Sequence, residues 1–90
     1  MKPVARKNDL VIRRDTGELF IDDLLNHKRI RLNPTSAYVW EKCDGRHETY
    51  EIAEEMECEL GVTVSESVVL MALNRLYSEK LLEPVNQVVS

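Results

Sequence analysis

The chain has 90 residues, 16 of them acidic and 12 basic, for a formal charge of −4. A domain of this length hides only about 60–65% of the surface its unfolded form exposes, which excludes a second core and a deep, enclosed catalytic cleft. No apolar run approaches the ~20 residues that span a bilayer, and the N-terminus has no signal-like apolar stretch, so a cytoplasmic protein without membrane contact is expected.

Residues 1–8 are polar, contain Pro3 and lack alternation, which predicts a flexible arm ahead of a single domain over residues 9–84. Leu10 to Arg14 is rich in β-branched residues and predicts a first strand, followed by a turn at Asp15-Thr16-Gly17. Glu18 to Asp22 predicts a second strand, but Leu19, Phe20 and Ile21 are all apolar and alternation cannot choose its buried face. Asp23 to His27 is a connector. Lys28 to Leu32 alternates cleanly, with Ile30 and Leu32 on one face and Arg29 and Arg31 on the other.

At Asn33-Pro34 the period changes. Asn is a strong helix N-cap, and Pro at the first helical position gives up an N–H that would have no partner there. The predicted helix runs to about Cys43, burying Ala37, Trp40 and either Cys43 or Asp44 with Val39 beside them, and Asp44-Gly45 is its expected stop. A second helix is expected from an N-cap at Thr49 to Gly61, with Ile52, Ala53, Met56 and Leu60 inward and five glutamates on the other faces. Thr63 and Glu66 have capping-box spacing for a third helix to about Lys80, although Ser65 is an alternative cap. At 100° per residue, Val69, Leu73, Leu76 and Tyr77 form its core face, with Leu70 adjacent. Leu81 and Leu82 close the core, Pro84 ends helix, and residues 85–90 are read as a C-terminal tail. The fold class expected is α+β: a three-stranded antiparallel sheet followed by three helices, winged helix-turn-helix-like.

Charge divides the chain. Eight bases face five acids up to Leu32, whereas four bases face eleven acids from Asn33 onward. A winged-helix DNA-binding regulator needs a basic reading helix, and the second helix here is lined with glutamate while the third carries Arg75 and, at its end, Lys80. Nucleic acid is therefore not the expected partner. Cys43, Cys58, His27 and His47 show no metal-ligand spacing, so no metal and no cofactor is expected. Nor does any nucleophile stand at a recognisable spacing from a base and an orienting carboxylate, so no enzyme activity is expected.

The ordered set Leu32-Asn33-Pro34-Thr35, Val39-Trp40, Asp44-Gly45, Ile52-Ala53-Glu54-Glu55, Leu73-x-x-Leu76 and Leu81-Leu82 resembles the PqqD-like family, also called RiPP recognition elements. The resemblance covers about residues 10–83. Two positions depart from the family pattern: Lys80 stands where glycine is frequent, and Met56 where leucine is. The resemblance implies a peptide chaperone without chemistry of its own. Such a domain captures the leader of a ribosomally made precursor peptide as an extra antiparallel strand beside the third strand and against the third helix, and presents it to a modifying enzyme, often a radical-SAM protein. On this chain the implied site is Lys28, Arg29, Ile30, Arg31 and Leu32 with Val69, Leu70, Leu73, Asn74 and Tyr77.

Three matters stay open in the sequence. Arg29 and Arg31 either read acidic side chains of a leader or guard the sheet edge against aggregation. Val68 and Met71 are groove residues, a weak homodimer contact or scattered surface apolars. A subunit that only scaffolds a larger enzyme carries the same sequence pattern as a leader binder.

Overall fold

The computed structural model describes residues 2–84, so the tail expected at 85–90 lies outside the described residues. Three strands, β1 (Leu10–Asp15), β2 (Glu18–Asp23) and β3 (Lys28–Leu32), precede three helices, α1 (Pro34–Glu41), α2 (Thr49–Leu60) and α3 (Glu66–Ser78). The sheet is antiparallel in the order β1-β2-β3, which leaves β3 at one edge.

β1 and β2 are joined by Thr16-Gly17, both at positive φ, the backbone that a two-residue hairpin turn of matching twist requires. Pairing settles the face that alternation in β2 left open. Leu19 stands opposite Leu32 and Ile21 opposite Ile30, so these four share the buried face. Phe20 is left on the outer face, opposite both Arg13 and Arg31.

Asn33 caps α1 as its sequence predicts, its side chain accepting from the Ser36 N–H at 2.8 Å, with Pro34 in the first turn. Ala37, Val39 and Trp40 are buried, and the Trp40 indole donates to the Leu81 carbonyl at 2.9 Å. α1 ends at Glu41, earlier than the expected stop at Asp44-Gly45. Gly45 instead makes room for the N-terminal segment, since a Cβ there would stand 3.1 Å from Val4 Cγ2.

That segment is not a flexible arm. The Gly45 N–H donates to Pro3 O, Ala5 N–H to Cys43 O, Arg6 N–H to Leu81 O, and Glu83 N–H to Val4 O. Pro3 and Ala5 are buried. Residues 3–6 thus lie extended between the end of α1 and the chain after α3, joining two regions far apart in sequence.

The caps of α2 and α3 also differ from expectation. Glu48, not Thr49, caps α2 and forms a reciprocal box with Glu51, while Gly61 ends the helix as anticipated. The Thr49 hydroxyl donates instead to Glu66. Glu66 is thereby drawn away from a capping box with Thr63, and Ser65 occupies the α3 cap position. Leu60 is exposed, so the apolar stripe of α2 is one turn shorter than expected.

Candidate functional site at the β3 edge

Each strand residue turns its N–H and C=O to one side, alternating along the chain, so one bond outside the sheet fixes the remainder. The Leu24 N–H donates to Asp9 O at 2.9 Å, one pair beyond Leu10 and Asp23. The hydrogen-bonded pairs between β1 and β2 are therefore Val11 with Asp22, Arg13 with Phe20, and Asp15 with Glu18. Leu19, Ile21 and Asp23 then bond toward β3, where their partners are Leu32, Ile30 and Lys28. Arg29 and Arg31 are left with N–H and C=O directed away from the sheet. One of these four groups already has a partner: Arg75 Nη2 donates to Arg31 O at 2.9 Å.

The predicted strand residues divide accordingly. Ile30 and Leu32 turn their main chains to β2 and their side chains into the core, so they position the edge without facing outward. Lys28 is half-buried, its Nζ 3.5 Å from Glu79 Oε1. The side chains of Arg29 and Arg31 project from the outer face, where each meets an acid of β2. Arg29 Nε lies 3.2 Å from Asp22 and Arg31 Nη2 lies 2.7 Å from Glu18. Both pairs are largely solvated and contribute little stability, but they neutralise the charge of the strand.

On α3 the predicted wall residues do not share one flank. Arg75 reaches the Arg31 carbonyl and Glu79 reaches Lys28, so this side of the helix borders the open edge. At about 100° per residue, Val68, Arg75 and Glu79 share that flank, and Met71 sits at its rim. Val68 and Met71 are exposed there. Val69 and Leu73 are buried in the core. Leu70 and Tyr77 lie on the opposite flank, and Asn74 points to solvent between the two. Tyr77 lines a separate open concavity of about 450 Å³ with Arg6, Leu25, Asn26, Lys80, Leu82 and Pro84.

The start of β3 is held by Asp23, a residue that reads in the sequence only as part of a connector. Asp23 is 2% exposed, and its carboxylate accepts from the N–H groups of Leu25 and Asn26, from the Asn26 side chain, and from both terminal nitrogens of Arg6. The Arg6 hydrogen bonds hold this carboxyl well below the usual carboxylate range against the opposing effect of burial. The Asp-x-x-Asn pattern is a turn signal that sequence offers. Arg6, 17 residues away, is not.

The family model for Coenzyme PQQ synthesis protein D (PqqD) matches residues 20–82. The chain belongs to the PqqD family. The match begins inside β2 and takes in β3, all three helices and the Leu81-Leu82 closure. Among solved structures, the chain is similar to one described as TbiB1 in complex with the TbiA(beta) leader peptide, at 19% identity and a TM-score of 0.68. That likeness covers 97% of this chain and 100% of the other, and it bears out the PqqD-type fold of three strands followed by three helices. No curated protein matches the chain significantly.

Other polar groups of this PqqD-family domain are tied into its own structure. The Cys43 thiol donates to Val39 O at 3.1 Å, and burial pushes its pKa up to about 12. His47 bridges Asp44 and Glu55, and Lys42 lies 3.6 Å from Glu55 and 3.5 Å from Glu59, so part of the acidic run on α2 is compensated internally. Among the described residues no cluster of three His, Cys, Asp or Glu side chains has the geometry to hold a metal ion. No helix among them is long and apolar enough to cross a membrane.

Proposed function

We propose that this domain is a precursor-peptide chaperone that captures the leader of a ribosomally made peptide by strand addition at β3. The observation that carries the reading is the outward set of main-chain groups on Arg29 and Arg31, bordered by the Val68–Arg75–Glu79 flank of α3. An extended peptide satisfies such an edge through its own main chain, and side-chain pockets alongside set the sequence preference. The family membership and the fold shared with a protein solved with a leader peptide support the same reading.

An added antiparallel strand places alternate side chains on the two faces of the sheet. Residues opposite Arg29 and Arg31 fall on the outer face beside the two arginines. Residues opposite Ile30 and Leu32 point inward, toward α3. The peptide-binding surface is accordingly Arg29 and Arg31 with Lys28, Val68, Met71, Arg75 and Glu79. The domain does no chemistry and hands the leader to a modifying enzyme. Family resemblance supports a radical-SAM protein as that enzyme.

The reading is tested with the leader peptide encoded beside this gene. Calorimetric titration should give saturable 1:1 binding, and Arg31→Pro, which removes an outward N–H, should weaken it at least tenfold while leaving the fold intact. A domain that scaffolds the enzyme without touching peptide gives no heat with the leader and binds the enzyme alone.

A further inference from the structure

Among the described residues, every basic side chain at the β3 edge has an acidic partner except one. Arg29 is met by Asp22, Arg31 by Glu18 and Lys28 by Glu79. Arg75 makes no ion pair among the described residues, and its guanidinium donates to a neutral carbonyl, Arg31 O. It is also the one base along the body of α3, in a domain whose helical half is strongly acidic. A guanidinium carries five N–H donors in a planar fork shaped to take a carboxylate through two parallel bonds, and one neutral acceptor leaves most of that capacity unused.

The position of Arg75 matters as much as its charge. It is exposed, on the flank of α3 that borders the β3 edge, with its guanidinium at the carbonyl an incoming strand must approach. That carbonyl has two lone pairs and can accept a guest N–H beside Arg75. Met71 and Val68 continue the same flank and are apolar.

Given strand addition at β3, on which this rests, we infer that Arg75 is the specificity-determining residue of the groove and selects a guest strand with an acidic side chain at an inward position, opposite Ile30 or Leu32. The uncompensated charge lies on the inner side of the edge, whereas the outer arginines are already neutralised by Asp22 and Glu18. An acid on the guest's inner face therefore gains an unpaired partner, and one on its outer face must compete with a resident carboxylate. The flank next to Arg75 favours an apolar guest residue two positions away, on Met71 and Val68, since inward positions recur every second residue.

The test uses a displayed library of random dodecapeptides selected against the wild-type domain, Arg75→Gln and Arg75→Glu. Wild-type selection should enrich peptides with Asp or Glu at one position and an apolar residue two away. Arg75→Gln should lose the acidic preference and bind the wild-type winners about fivefold more weakly. Arg75→Glu should exchange the preferred acid for Lys or Arg, an inversion that loss of a merely structural contact does not produce. An acidic preference that survives Arg75→Gln, or its absence from the wild-type set, overturns the inference while leaving strand addition in place. Failure of any selected peptide to shift the amide resonances of Arg29 and Arg31 overturns strand addition and the inference together. Thermal melting of both variants, expected at the wild-type temperature because the side chain is exposed, shows that the comparison is between folded proteins.

Discussion

The guanidinium of Arg6 grips the buried carboxylate of Asp23 through two bonds, at 3.1 and 2.7 Å, and so ties the N-terminal segment to the turn that launches β3. The same arginine donates to Lys80 O at 2.9 Å and joins the end of α3 to that turn. Removing Arg6 leaves the carboxylate buried without its cationic partner. Arg6→Met should cost about 3 kcal/mol in urea unfolding. An effect no larger than that of an exposed ion pair would show that the joint is incidental.

The same carboxylate sets an acid limit. Its folded pKa lies below the unfolded value of about 3.9, so its contribution is present in full above that pH and is lost as pH falls toward the folded pKa. The urea midpoint of the wild type should fall steadily below about pH 4. Arg6→Met, lacking the group that depresses the pKa, should show a shallower slope there.

His47 works in the opposite direction. Its Nδ1 lies 2.9 Å from Asp44 and its Nε2 3.1 Å from Glu55, and both nitrogens can donate only when the ring is protonated. The hydrogen bond with Asp44 raises its pKa above the ordinary value near 6.5. Its contribution is therefore complete below about pH 6.5 and disappears as pH rises through the folded pKa. Stability measured from pH 6 to 9 should decline in the wild type, and His47→Gln should flatten the profile.

Lys80 has φ +60 at the position where the family pattern often carries glycine. A left-handed backbone disfavours a side chain by roughly 1 kcal/mol. Its carbonyl accepts from Arg6, a bond that glycine would keep. Lys80→Gly should raise stability by about 1 kcal/mol in chemical unfolding, and a loss would mean that the lysine side chain contributes more than its backbone strain removes.

The element order is legible in the sequence because each signal for it is local. Asn33-Pro34 caps a helix by its own chemistry, Ile30 and Leu32 alternate with charged neighbours, and Trp40 falls at core spacing with Ala37. What stays hidden depends on partners distant in the chain. β2 has three apolar residues in a row, and only pairing with Ile30 and Leu32 assigns Phe20 to the outside. Thr63 and Glu66 have the spacing of a capping box, but Glu66 finds Thr49 instead. The α3 flank escapes sequence reasoning for a related reason. Its apolar stripe is wider than its packing face, and the periodicity of one helix does not say which margin meets the sheet. Arg75 and Glu79, the residues that decide the matter, are polar and fall outside any apolar pattern.

Hydrogen exchange at four consecutive amides of β3 tests strand addition most directly. In the free domain the Ile30 and Leu32 amides, bonded to β2, should exchange slowly, while those of Arg29 and Arg31 should exchange at rates near those of an open chain. Saturation with the leader peptide should slow Arg29 and Arg31 by at least tenfold and leave the other two nearly unchanged. Peptide binding that leaves Arg29 and Arg31 in fast exchange would contradict strand addition at this edge.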